Sequence, residues 1–123
     1  MSSWTREELQ RVGDADELEI ASLRDDGSLR KFVIIWVVRL GEDVYVRSVR
    51  GRESWWFHGV QTRHAGRIKA GGVEKDVTFV EMGRELDAAI DAAYAAKYRY
   101  SPSAVAHIND PKAQAATIRL VPQ

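Results

Sequence analysis

The stretch RKFVIIWVVRLGEDVYVRSVRGRESWWF, residues 30–57, decides the fold of this 123-residue chain. Residues 32–38 are its longest apolar run, and their β-branched and aromatic content predicts a strand that is buried on both faces. A turn at residues 39–43 leads into a second strand at 44–49, so the pair forms a hairpin. A basic, glycine-containing loop follows, and after it comes a short aromatic segment that predicts a helix.

Upstream of this stretch, the sequence predicts a short helix and one strand. Thr5 and Glu8 have the spacing of a capping box, with Trp4 able to pack on Leu9, and Gly13 is the expected end of the helix. Residues 17–20 alternate charged and apolar side chains, which is typical of a half-buried strand. The aspartates and glycine of residues 25–28 then predict a turn.

Downstream, the pattern predicts a helix, a hairpin, a longer helix and a last strand. Ser54 is a good cap for a helix to about residue 61, and Gly71-Gly72 is a two-residue turn between strands at 66–70 and 73–80. After Gly83 the apolar residues recur at helical spacing, and residues 117–121 read as a closing strand. About six strands joined mainly by hairpins predict a single α+β domain, residues 1–123. We expect a small antiparallel barrel with a short N-terminal and a longer C-terminal helix, with an open sheet as the alternative.

The composition excludes several classes of protein. There is no cysteine, so disulfides and thiolate chemistry are absent, and His58, His64 and His107 have no common metal-site spacing. No apolar run approaches the ~18 residues of a membrane span and residues 1–10 do not resemble a signal peptide, so we expect a cytoplasmic protein. The net charge is zero, yet residues 44–69 hold six basic residues against Glu53 alone, a local balance of +5. That distribution suits a small anionic ligand better than a nucleic-acid strand.

The basic loop is the candidate site, because the sequence contains none of the phosphate-loop, dinucleotide, nucleophile-elbow or zinc-protease motifs. Arginine pairs well with phosphate oxygens, Gly51 would let a ligand approach the backbone, and the capped helix start adds amide donors. Flat aromatic side chains could stack on a heterocycle. The predicted residues are Ser48, Arg50, Gly51, Arg52, Ser54, Trp55 and Trp56, with Arg47 in the same loop. The alternative is that the aromatics close one end of a barrel and the arginines are solvated.

The order of these motifs resembles the FMN-binding split β-barrel superfamily, and within it the deazaflavin-dependent nitroreductase branch. The segments LEIA, IWVV, YVRS-x-RG, AGGVE-x-DVTF and AIDAAY-x-x-KY are similar to a bacterial family of small uncharacterised proteins placed there. The resemblance covers nearly the whole chain. It implies a split barrel, usually a homodimer, holding a flavin or deazaflavin near the subunit interface. It adds Arg30 and Lys31 to the cofactor-binding residues; Val33 stands where many relatives have proline.

The function that this resemblance implies is hydride transfer between FMN or a deazaflavin and a small organic substrate, with Tyr45, His58 or Tyr98 as candidate proton donors. A second hypothesis is a protein that binds a cofactor or metabolite without turnover. A third, single-stranded nucleic-acid binding, needs a longer basic track than the sequence contains.

Overall fold

The computed structural model describes residues 3–123; Met1 and Ser2 lie outside it. Over that range the chain forms seven β-strands, five α-helices and one 3-10 turn at Gly51–Glu53. The strands are β1 (Leu18–Ser22), β2 (Val33–Ile35), β3 (Val37–Leu40), β4 (Asp43–Arg47), β5 (Ala65–Ala70), β6 (Val73–Glu81) and β7 (Thr117–Pro122). The helices are α1 (Arg6–Asp14), α2 (Trp55–Thr62), α3 (Asp87–Lys97), α4 (Pro102–Ile108) and α5 (Pro111–Gln114).

The strands form a nearly closed antiparallel barrel, in the order β2-β1-β5-β6-β7-β4-β3. The two edge strands, β2 and β3, are consecutive in the chain and separated by Trp36 alone. The first half of the apolar run therefore pairs with β1 and the second half with β4. One extended segment thus forms both edge strands of the sheet and brings the two edges together. The predicted α+β class and antiparallel barrel are confirmed, with seven strands where about six were expected.

Tyr98, the residue that follows α3, packs against the interruption at Trp36 between β2 and β3. The Trp36 and Tyr98 rings are stacked, with centroids 3.8 Å apart and an interplanar angle of 7°. The Tyr98 hydroxyl accepts the N–H of Val37 at 3.1 Å and donates to the carbonyl of Asp16 at 2.8 Å. These bonds give partners to backbone groups at the point where the strand changes its neighbour.

The local turn and cap predictions are confirmed, with one exception. Thr5 and Glu8 form the capping box, Ser54 accepts from the N–H of Phe57, and Gly71 and Gly72 both have positive φ in the β5–β6 turn. The exception is Gly13, which is not the end of α1; the helix continues through Asp14. Helices α4 and α5 were not predicted, because they are too short to carry a clear periodic pattern.

The core has two layers. The barrel interior is filled by aliphatic and aromatic side chains, among them Leu18, Val46, Phe57, Ile68 and Phe79. A second layer lies between the outside of the barrel and helices α3 and α4, and contains Val38, Tyr45, Ile90, Tyr94, Tyr98 and Ile108. Neighbouring residues on β4 serve both layers, because successive side chains on a strand point to opposite faces.

The prediction that residues 32–38 are buried on both faces is wrong for the first half of that run. Val37 and Val38 are buried, but Ile34 is 59% exposed. At the edge of the sheet, β2 has a covering layer on one side only.

Candidate functional site

A cavity of about 480 Å³ opens where β2, the loop after β4, the start of α2 and helix α4 meet. This volume lies within the range of small-molecule binding sites. Most of its wall is apolar or aromatic. The lining residues are Val33, Ile34, Ile35, Trp36, Arg47, Ser48, Val49, Arg50, Ser54, Trp55, Trp56, Ala104 and Ile108. Two of them, Arg47 and Arg50, are basic and none of these thirteen is acidic. Arg47 is paired with carboxylates, so Arg50 is the cation on the wall that favours an anionic ligand with a large apolar part.

Five of the nine predicted site residues line this cavity: Ser48, Arg50, Ser54, Trp55 and Trp56. The Ser48 hydroxyl donates to Ser54 Oγ at 2.7 Å, and Ser54 Oγ in turn caps α2. The two serines are buried and partnered with each other, so they fix the loop against the first turn of the helix. Trp55 is 70% exposed at the cavity mouth, whereas Trp56 is half-buried.

Arg30 and Lys31 lie beside the cavity. They line a small pocket with β1 residues, and Trp55 and Trp56 belong to the walls of both spaces. The Nε atom of Arg30 is buried and has no hydrogen-bond partner within residues 3–123. Gly59 makes room for it, because a Cβ at Gly59 would collide with Ser22 Oγ and stand 3.1 Å from Arg30 Nε. An unpartnered guanidinium nitrogen beside an apolar cavity is a candidate anion contact.

Gly51 and Arg52 lie outside the cavity wall. Arg52 forms an ion pair with Glu81 at 3.1 Å and donates to the carbonyl of Ala115. Gly51 is buried with φ +78°, and a Cβ there would collide with the Lys112 side chain. The structure therefore gives Gly51 a packing role between the loop and α5, in place of the predicted close approach to a ligand.

Arg47 is on the cavity wall, but its guanidinium is already occupied. It is 1% exposed and donates to Asp91 at 2.5 Å, to Asp87 at 3.3 Å and to Thr117 Oγ1 at 2.9 Å. Further bonds join it to the Ile108 carbonyl and to Asn109. Two carboxylates and three neutral acceptors surround the guanidinium. Arg47 is therefore fixed in place on the cavity wall, and its bonds link α3 and α4 to the barrel. Its expected role in an anion-binding loop is not what this geometry supports.

The three candidate proton donors, Tyr45, His58 and Tyr98, are not among the residues that line the cavity in the described chain. Burial raises the pKa of Tyr98, and also that of Tyr45. A raised pKa makes each phenol a weaker acid, and the Tyr98 hydroxyl is bonded to the backbone. His58 is exposed on α2.

Sequence reasoning missed the contributions of β2 and α4 to the site. Ile34 and Ile35 were assigned to a fully buried strand, and Ala104 and Ile108 lie in a helix that was not predicted. The exposed apolar side chain in β2 could not have been recognised without knowing that β2 is an edge strand. No helix in residues 3–123 has the length and apolar character required to span a bilayer.

The fold places the chain among the α+β split-barrel proteins, as its motifs predicted. It is similar to the crystal structure of a conserved hypothetical protein of Mycobacterium tuberculosis, with TM-score 0.67, 11% identity, and coverage of 99% of this chain and 82% of that one. It is also similar to a FAD-binding protein of Mesorhizobium loti, with TM-score 0.59, 13% identity and coverage of 98% and 91%. A third likeness is to a protein described as an F420 reductase, with TM-score 0.51, 11% identity and coverage of 93% and 90%.

Within that class the chain can be assigned to one family. Residues 8–120 match the model of the family described as "Uncharacterized protein conserved in bacteria (DUF2255)", and the chain belongs to it. No curated protein matches at a significant level. At these low identities the solved structures establish the fold, and the site must be argued from its own geometry.

Proposed function

We propose that this protein binds a flavin or deazaflavin cofactor in the 480 Å³ cavity and transfers hydride between that cofactor and a small organic substrate. The observation that carries the proposal is the composition of the cavity wall, which combines branched aliphatic and tryptophan side chains with arginine and contains no acid among its lining residues. Two proteins of similar fold, one described as FAD-binding and one as an F420 reductase, support the choice of cofactor.

The residues present fit such a cofactor. A planar, apolar ring system needs flat or branched side chains on both sides, and Trp55, Trp56 and Ile34 are available at the cavity. A phosphate group needs cations that are not already paired. Arg50 is exposed at the cavity and has no ion-pair partner in residues 3–123. Arg30 lies beside the cavity, in the neighbouring small pocket, and is not ion-paired within those residues either. Arg47 and Arg52 have their own carboxylate partners and are not assigned to the cofactor.

The reaction would divide between the bound group and the protein. The isoalloxazine or deazaisoalloxazine ring, when bound, supplies the hydride chemistry. The protein contributes the apolar wall, which excludes water, and the cations, which orient the anionic tail. No acid or base on the wall within the described chain is placed to move a proton, so we assign none.

The lack of a proton donor on the described cavity wall favours a second candidate function, a protein that binds the cofactor without turnover. A binding protein needs the apolar wall and the cations but no proton donor. The two functions differ in one measurable property, which is whether the protein accelerates the reoxidation of the reduced cofactor by a small acceptor relative to the free cofactor.

The proposal is tested by titrating FMN and F420 into the protein and into two variants, Arg50→Gln and Arg52→Gln. Both variants lose one positive charge from the same loop, but Arg50 alone lines the cavity. We expect the Arg50 variant to bind at least about tenfold more weakly, since a hydrogen bond to a charged group contributes roughly 1.5–3 kcal/mol. The Arg52 variant should stay within about twofold of wild type, because exposed charges are screened by salt.

Four outcomes are informative. If neither cofactor binds the wild-type protein, the proposed function is wrong. If both variants bind equally well, the protein binds the cofactor but the proposed position of its phosphate at Arg50 is wrong. With cofactor bound and chemically reduced under anaerobic conditions, reoxidation by a small quinone such as menadione at a rate well above that of the free reduced cofactor supports the enzyme. Its absence across a panel of nitro and quinone acceptors supports the binding protein.

A further inference from the structure

Lys97, at the C-terminal end of α3, is held in an unusual environment outside the proposed cofactor site. Its Nζ donates to two backbone carbonyls, those of Ala15 at 2.6 Å and Val37 at 2.7 Å. It also lies 5.0 Å from the centroid of the Tyr98 ring. Lys75, by comparison, forms an ordinary ion pair with Glu8 at 2.7 Å. The Lys97 amine is therefore fixed by neutral acceptors.

Lys97 lines an open groove of about 430 Å³ between α1, β3 and α3. The other lining residues are Gly13, Asp14, Val38, Arg39, Ala93 and Ala96, and none of them lines the cofactor cavity. Arg39 lies along Gly13 and uses its Nε on the carbonyl of Gly41 at 2.7 Å. Its terminal guanidinium nitrogens have no hydrogen bond to residues 3–123, so they are free to hold an anion that enters the groove, although the Asp14 carboxylate there acts against one.

The geometry suits a neutral amine as well as a charged one. A neutral amine has two N–H groups and one lone pair, and the two carbonyls accept both N–H groups. The lone pair is then left for an electrophile in the groove. Burial lowers the pKa of Lys97 to about 8, although Asp16 and Asp14 act in the opposite direction by favouring the charged form. A larger fraction of this amine is uncharged near neutral pH than of an ordinary lysine.

We propose that Lys97 is a nucleophilic amine that accepts acyl groups from small acyl phosphates bound in this groove, with Arg39 holding the phosphate. The amine nitrogen attacks the acyl carbon and the C–O bond to phosphate breaks. Phosphate leaves with the electron pair, and the amine proton passes to water. The product is an amide with one N–H, so it keeps at most one of the two carbonyl contacts. Acylation therefore loosens the end of α3 from the α1–β1 loop and from β3.

The experiment exposes the full-length native protein to acetyl phosphate at pH 7, 8 and 9 and follows acetylation of each lysine by peptide mass spectrometry. Lys112, which is exposed on α5, is the internal comparison. At pH 8 we expect Lys97 to react roughly tenfold faster than Lys112, since a lysine in a desolvated site is an activated nucleophile. Its rate should level off above about pH 8, whereas that of a short lysine-containing reference peptide keeps rising through pH 9.

Two variants separate nucleophile from binding site. Lys97→Arg keeps the charge and the donors, and should abolish the fast-reacting site while the other lysines are unaffected. Arg39→Gln should slow acetylation of Lys97 by acetyl phosphate severalfold and leave its reaction with an uncharged N-hydroxysuccinimide ester unchanged. A Lys97 rate equal to or below that of Lys112, or a rate that does not level off, overturns the proposal. An Arg39→Gln protein that reacts with acetyl phosphate as fast as wild type overturns the role of Arg39.

Discussion

At the scale of single residues, Arg47 is the side chain on which the joining of barrel and helices depends. It ends β4, yet its guanidinium reaches acceptors on α3, α4 and β7. The Arg47 guanidinium carbon also lies 5.7 Å from the centroid of the Tyr94 ring. A charge removed from water is tolerated only when such partners replace its hydration.

We expect Arg47→Met to lower the free energy of unfolding by about 3–5 kcal/mol, because Asp91 loses its cation and Asp87 keeps only its pair with Arg84. Arg52→Met, the matched control, removes an exposed ion pair with Glu81 and should cost no more than about 1 kcal/mol. Urea denaturation followed by tryptophan fluorescence measures both. Equal losses in the two variants would show that the Arg47 network adds nothing to an ordinary surface pair.

At the scale of elements, the loop between β4 and α2 positions the cavity wall, and its conformation depends on Gly51. The residue has φ +78° and packs against Lys112 of α5, more than sixty residues further along the chain. Beyond it, the Ser48–Ser54 hydrogen bond closes the loop onto the helix start. The loop is thus fixed at both ends, so Arg50 and Trp55 have defined positions at the cavity.

Gly51→Ala tests this arrangement against Gly27→Ala, a glycine of similar φ, +87°, with nothing within 4 Å of the added Cβ. The control should lose about 1–2 kcal/mol of stability from the left-handed backbone alone. Gly51→Ala should lose roughly 1–3 kcal/mol more, because the Cβ is forced into a packed neighbour. The stabilities of the two variants are compared by their urea unfolding midpoints. A Gly51 variant no less stable than the control would contradict the packing role.

At the scale of the whole molecule, the cavity is surrounded by exposed apolar side chains. Ile34 is 59% exposed, Val49 50% and Trp55 70%, and all three line the cavity. Tyr100, 66% exposed, is the other large apolar side chain left open in residues 3–123, and it does not line the cavity. Apolar side chains concentrated around one opening indicate a surface that is covered in the working protein. We propose that a second subunit covers it, forming a homodimer.

Sedimentation should therefore give a particle of about 28 kDa, twice the 13.9 kDa of one chain, at micromolar concentration. Ile34→Glu should shift the equilibrium towards monomer, because a charge would be buried in the interface. Tyr100→Glu, an equally exposed apolar side chain away from the cavity, should remain dimeric. A wild-type particle of ~14 kDa under these conditions is incompatible with an interface of ordinary size.

The sequence by itself determined the features that depend on a few neighbouring residues. The capping box at Thr5, the cap at Ser54 and the Gly71-Gly72 turn were all predicted and are all present. Each rests on a bond or a dihedral angle within about four residues, so the local sequence is sufficient to specify it. The hairpins and the antiparallel barrel follow from these turns together with the strand patterns between them.

The tertiary structure alone decided which side chains meet at the cavity. Arg30, Lys31, Arg47, Arg50 and Arg52 look alike in the sequence, yet two are paired with carboxylates that lie 29 to 44 residues away along the chain. Ala104 and Ile108 complete the wall from a helix without a recognisable pattern. The same apolar run is buried at Val37 and exposed at Ile34 because only closure of the barrel determines which neighbours each half receives. Burial and pairing are properties of contacts between distant segments, and no local pattern encodes them.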